Sequence, residues 1–143
     1  MYQKILVALD NTASDESLLP HVCQLACLMK SELLLLHVAD GWAARYFEQL
    51  KLAPSEEMQG DLRYLEQTAE RLKKEMGLQV ATLLALGNPP EQILHVAEKE
   101  KCDLIAMGSH GHKFLGDLWH GSTIDRVRHN TRIPILTVRA EKV

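Results

Sequence analysis

The chain has 143 residues, 46% hydrophobic and 24% charged, with a net charge of −3. One domain over residues 1–143 is expected, because the length supports one proper core and not two. The slight acidity gives no electrostatic footprint for nucleic acid or an anionic membrane. The longest strongly apolar run, Leu33 to Val38 broken by His37, is too short to span a bilayer. The start, Met1-Tyr2-Gln3-Lys4-Ile5, has no signal-peptide pattern, so a cytoplasmic location is expected. Cys23, Cys27 and Cys102 make an odd count, unlike a disulfide framework. Cys23 and Cys27 stand four apart on one helix face and read as two small buried residues.

In chain order, Lys4-Ile5-Leu6-Val7-Ala8-Leu9 is a first strand ending at Asp10. Asn11-Thr12-Ala13-Ser14 forms a loop and cap, and a helix follows to about Lys30. Pro20 belongs in a first turn rather than an interior, so the regular helix is expected only from about Ser17. Glu32 to Val38 is nearly continuous leucine, as in a strand covered on both faces. A variable-looking segment from Ala39 to Ser55 holds Trp42, Arg45, Tyr46 and Phe47. Met58, Leu62, Leu65, Ala69, Leu72 and Met76 then mark an amphipathic helix with Gly77 as its cap. Gln79 to Leu86 is a third strand. Asn88-Pro89-Pro90-Glu91 starts a helix whose buried side is Ile93, Leu94 and Ala97. Asp103 to Met107 is a fourth strand, a short helix runs from Ser122 to about Asn130, and Ile133 to Val138 is a fifth strand. Alternating strands and helices predict an α/β domain, a three-layer α/β/α sandwich with a parallel sheet.

Chemistry concentrates after the fourth strand. Gly108, Gly111 and Gly121 follow it, with Ser122 and Thr123 at the expected helix start. Glycines let main chain approach a phosphate, and free N–H groups at a helix start point at one. If the first and fourth strands are neighbours at the switch point of the sheet, Asp10 faces this loop. Asp10 also has a plainer reading as a turn carboxylate, and Ser122 as a helix cap. His110, His112, His120 and His129 match no zinc spacing. His37 reads as a satisfied, partly buried histidine, and His21 and His95 as surface or boundary residues.

The segment Met107-Gly108-Ser109-His110-Gly111, nine residues, then Gly121-Ser122 resembles the ATP-binding motif of the universal stress protein family. Lys4 to Asp10 is similar to the family's opening strand, Leu35-Leu36-His37-Val38 to its second, and Arg132-Ile133-Pro134-Ile135-Leu136-Thr137-Val138 to its last. The resemblance implies an open five-stranded parallel sheet in the order 3-2-1-4-5, Rossmann-like and akin to adenine nucleotide alpha hydrolases. It implies that Gly108, Ser109, His110, Gly111, Gly121, Ser122 and Thr123 wrap the ribose and phosphates of ATP, or of ADP or AMP. Ala8, Leu9 and Met107 would line the cleft, and Val38 would meet adenine through its main chain. Asp10 would lie near the ribose or a phosphate-bound Mg²⁺ or Mn²⁺. A homodimer through strand 133–138 is implied, and an unknown protein partner. Inside the loop, Trp119 and His120 depart from the family's usual aliphatic residues, Asp117 adds a negative charge, and Lys113 offsets it. The implied role is a nucleotide-sensing regulatory module in stress response, with slow ATP hydrolysis or nucleotidyl transfer in the same pocket as the alternative.

Overall fold

The computed structural model describes residues 1–39, 56–109 and 118–141, with main chain alone at 57 and 118–122. The described elements are β1 (Lys4–Ala8), α1 (Ser14–Met29), β2 (Glu32–Ala39), α2 (Glu56–Met76), β3 (Val80–Leu86), α3 (Pro89–Lys99), β4 (Leu104–Ser109), α4 (Leu118–His129) and β5 (Ile135–Arg139). The strands form one sheet in the order β3-β2-β1-β4-β5. Every pairing is parallel.

Side chains alternate across a strand, so each strand feeds two cores. Ile5, Val7, Leu33 and Leu35 meet Leu18 and Val22 of α1 and Leu65 and Leu72 of α2. Leu6, Leu34, Leu36 and Ile105 meet Ile93 and Ala97 of α3 and Val127 of α4. This accounts for the unbroken leucines of β2, since both of its faces are covered. The α3 start also behaves as its sequence predicts: Asn88 accepts from the N–H of Glu91 at 3.2 Å, and Pro89 opens the helix. Gly77 closes α2 with φ +65° and donates to the Lys73 carbonyl at 3.0 Å.

Several boundaries and faces differ from the sequence expectation. Helix α1 begins at Ser14 rather than near Ser17, with Pro20 in its interior. Pro20 cannot donate to the Glu16 carbonyl, but a single missing bond is tolerated when the helix buries Leu18, Leu19, Val22 and Ala26. Cys23 is buried, whereas Cys27 is exposed, so the two do not form a buried pair. On α2, Leu62 and Met76 lie outside the buried stripe, which runs through Met58, Asp61, Leu65, Thr68, Ala69 and Leu72. Strand β4 continues through Gly108 and Ser109, opposite Val138 and Arg139. Helix α4 opens at Leu118, so Gly121 and Ser122 lie within it rather than ahead of it. A glycine inside a helix costs about 1 kcal/mol relative to alanine.

Candidate functional site

The sheet order makes β1 and β4 neighbours, with chain winding away on either side. In such sheets ligands bind beyond the carboxyl ends of strands at this point. Ala8 stands opposite Met107 on one side and Leu36 on the other. Asp10, just beyond β1, is thereby brought beside the end of β4. Gly108 lies so near α1 that a β-carbon on it would meet Ser14 Oγ at 3.1 Å. Ser14 Oγ in turn donates to Asp10, at 3.3 Å to Oδ1 and 3.4 Å to Oδ2. The main-chain N–H and hydroxyl of Thr12 also donate to Asp10 Oδ1, at 3.1 and 2.6 Å. The turn-carboxylate reading of Asp10 is therefore real, and it coexists with a place at the switch point.

Below Asp10 is a buried polar framework that the sequence reading missed. Asn11 has φ +61°, a left-handed conformation that asparagine tolerates better than most residues. The turn aims two consecutive N–H groups at Asp15: Asp10 N donates to Oδ1 at 3.2 Å and Asn11 N to Oδ2 at 2.9 Å. The Tyr64 hydroxyl of α2 donates to Oδ2 at 2.6 Å. Asp15 is 2% exposed. Burial pushes its carboxyl up to about 7; the Tyr64 hydrogen bond opposes this, and the nearby Asp10 charge adds to it. Burial and Asp15 together hold Tyr64 as the neutral phenol.

A second branch ties β2 to the same turn. His37 Nδ1 donates to the Leu9 carbonyl at 2.8 Å. Its Nε2 faces Asp61 Oδ2 at 3.2 Å, so one proton lies between ring and carboxyl. Asp61 Oδ1 accepts from Asn11 Nδ2 at 3.2 Å. His37 is the satisfied, buried histidine expected. Asp61 had a legible signal: it is a carboxylate three residues after Met58 and four before Leu65, on a buried helix stripe.

Of the other sequence-predicted site residues, Ala8, Leu9, Val38 and Met107 are buried. The carbonyl of Ser109 accepts from Ala140 N at 2.6 Å. Thr123 is buried, and its hydroxyl has no hydrogen-bond partner among the described residues. His110, Gly111, Lys113, Asp117 and the aromatics from Trp42 to Phe47 lie outside the described residues, and the side chains of Trp119, His120 and Ser122 are not described. Among the described residues no three His, Cys, Asp or Glu side chains could together hold a metal ion. Among them, too, no helix is long and apolar enough to cross a membrane.

The universal stress protein family matches residues 1–139. The chain belongs to this family. A relative, universal stress protein MJ0577 of Methanocaldococcus jannaschii, is 31% identical, with 97% of this chain and 96% of the relative covered. The solved structure of MJ0577 superposes with a TM-score of 0.74 at 32% identity, covering 100% of this chain and 99% of that one. Two more distant universal stress proteins share the fold. One, in complex with cAMP, has a TM-score of 0.71 at 18% identity and 98% coverage of both chains. The other, from Archaeoglobus fulgidus in complex with dAMP, has a TM-score of 0.69 at 18% identity, covering 96% of this chain and 98% of that one.

Proposed function

We propose that the chain binds an adenine nucleotide, ATP or its ADP and AMP products, in the cleft beyond β1 and β4, as a member of the family's ATP-binding subgroup. Its role is a nucleotide-sensing regulatory module in stress response, acting in the cytoplasm. The observation that carries this is the parallel pairing of β1 with β4 at the switch point of the sheet, which brings Asp10 beside the end of β4, where Gly108 begins the glycine segment. Family members in complex with cAMP and dAMP support the choice of an adenine base.

In this reading Val38 meets adenine through its main chain, while Ala8, Leu9 and Met107 line the cleft. Gly108, Ser109, His110, Gly111, Gly121, Ser122 and Thr123 hold the ribose and phosphates. Asp10 accepts a ribose hydroxyl or shares a Mg²⁺ or Mn²⁺ with the phosphates. Among the described residues no three His, Cys, Asp or Glu side chains group to hold an ion alone, so in this reading the phosphates would supply further oxygen ligands beside Asp10.

Occupancy of the cleft shifts a dimer or partner equilibrium by mass action. The dimer forms through the outer edge of β5, the last strand of the sheet. The test is native mass spectrometry of the purified protein. Copurification of, or saturable binding to, one adenine nucleotide supports the reading, and failure to bind any of the three at millimolar concentration sinks it.

A further inference from the structure

We propose that Asp15 is the positioning residue of the nucleotide loop: its carboxylate sets the main chain at Asp10 and Asn11, and Tyr64 of α2 sets the carboxylate. This rests on the nucleotide reading above. The geometry is that of an acceptor surrounded by donors. Oδ1 takes the Asp10 N–H, and Oδ2 takes both the Asn11 N–H and the Tyr64 hydroxyl.

An amide could not do this. If Asn stood at 15 with its oxygen on Asn11 and Tyr64, its NH₂ group would face the Asp10 N–H, donor against donor. A neutral serine or threonine is enough to close an ordinary turn at a helix start. A carboxylate at 2% exposure is an expensive alternative, because burial disfavours its charged form. What it adds is a rigid pair of adjacent main-chain groups beneath Asp10. Thr12 and Ser14 hold the side chain of Asp10 from above.

The groups around Asp15 come from each neighbouring element. The loop brings Asp10, and α2 brings Tyr64, itself influenced by Arg71. Asp61 of α2 and His37 of β2 reach the turn through Asn11. Strand β4 brings uncharged Gly108 against Ser14.

The decisive experiment compares ATP affinity in the presence of Mg²⁺, thermal stability and amide NMR in wild type, Asp15→Asn and Tyr64→Phe. Removing a negative charge beside a polyphosphate would by itself tighten binding, so weakening reports lost geometry. Asp15→Asn is expected to weaken ATP by about tenfold while its midpoint of melting at pH 8 stays level or rises. Tyr64→Phe keeps both main-chain bonds and is expected to weaken ATP by about threefold. The amide signals of Asp10 and Asn11 shift in Asp15→Asn without nucleotide. Wild-type affinity in both variants overturns the proposal, as does a loss of affinity that merely follows a loss of stability. If wild type binds no nucleotide, the function reading fails instead, and unmoved Asp10 and Asn11 amides separately overturn the positioning of the turn.

Discussion

Gly108 and Ser14 are in near contact: a β-carbon on Gly108 would lie 3.1 Å from Ser14 Oγ and 3.3 Å from Ser14 Cβ. Ser14 is 1% exposed, so it has little room to retreat. Gly108→Ala is therefore expected to destabilise the fold by about 1–2 kcal/mol, in the range of core overpacking. Urea denaturation measures it. Ser14→Ala removes the nearest atom, so the cost of Gly108→Ala should shrink in the double variant. Additive costs would show that the two residues do not press on each other.

The Asp10 carboxylate accepts from Thr12 and Ser14 and sits at the switch point. Asp10→Ala should weaken ATP binding, chiefly when Mg²⁺ is present. Calorimetric titration with and without the ion reads this directly. An equal loss in both conditions would assign Asp10 to the ribose rather than to the ion.

For Asp15 the folded carboxyl is raised from an ordinary 3.8 to about 7, chiefly by burial. The folded state then binds the proton more tightly than the unfolded state. The stability linked to this group is fully present below the unfolded value and is lost as pH rises toward the folded one. The stability of Asp15→Asn relative to wild type should accordingly climb between about pH 4 and 7 and level off above. Urea midpoints across that range decide it, and a flat difference would contradict the raised value.

Asp61 and His37 are buried partners across α2 and β2. Asp61→Leu leaves His37 Nε2 and Asn11 Nδ2 without their acceptor. A loss of about 2–3 kcal/mol is expected in chemical denaturation. A change under about 0.5 kcal/mol would mean that water replaces the carboxyl at no cost.

At the sheet edge, the Pro134 carbonyl and the Ala140 N–H both face β4. The two-residue alternation of a strand then points the Thr137 N–H away from β4, toward the open side. Thr137→Pro should leave the monomer folded, because no bond within the sheet is lost. It should abolish a dimer formed through that edge, as read by sedimentation velocity. A dimer that survives the substitution uses another surface.

Much of this molecule was legible in the residues. The leucines of β2, the capped start at Asn88 and the alternation of strands and helices lead to the observed sheet because each reflects local geometry that tertiary contacts leave intact. Strand ends and helix starts were less legible. Gly108 reads as loop in isolation, yet lies in β4 because its pairing with Val138 decides its conformation. Pro20 reads as a boundary, yet packing around α1 overrides it. At the switch point, Asp10 and Gly108 stand out in the sequence because their types suit a phosphate-binding turn. Asp15, Asp61 and Tyr64 do not, because their roles depend on contacts between residues far apart in the chain: 49 positions separate Asp15 from Tyr64.

At the centre of the account is a nucleotide in the cleft beyond β1 and β4, beside Asp10. A crystal structure of the protein grown with Mg²⁺ and ATP tests it most directly. The expected result is density for adenine at Val38 and for ribose or phosphates beside Asp10, beyond the end of β4. Density for the nucleotide elsewhere, or a cleft closed by the chain itself under saturating ATP, would contradict it.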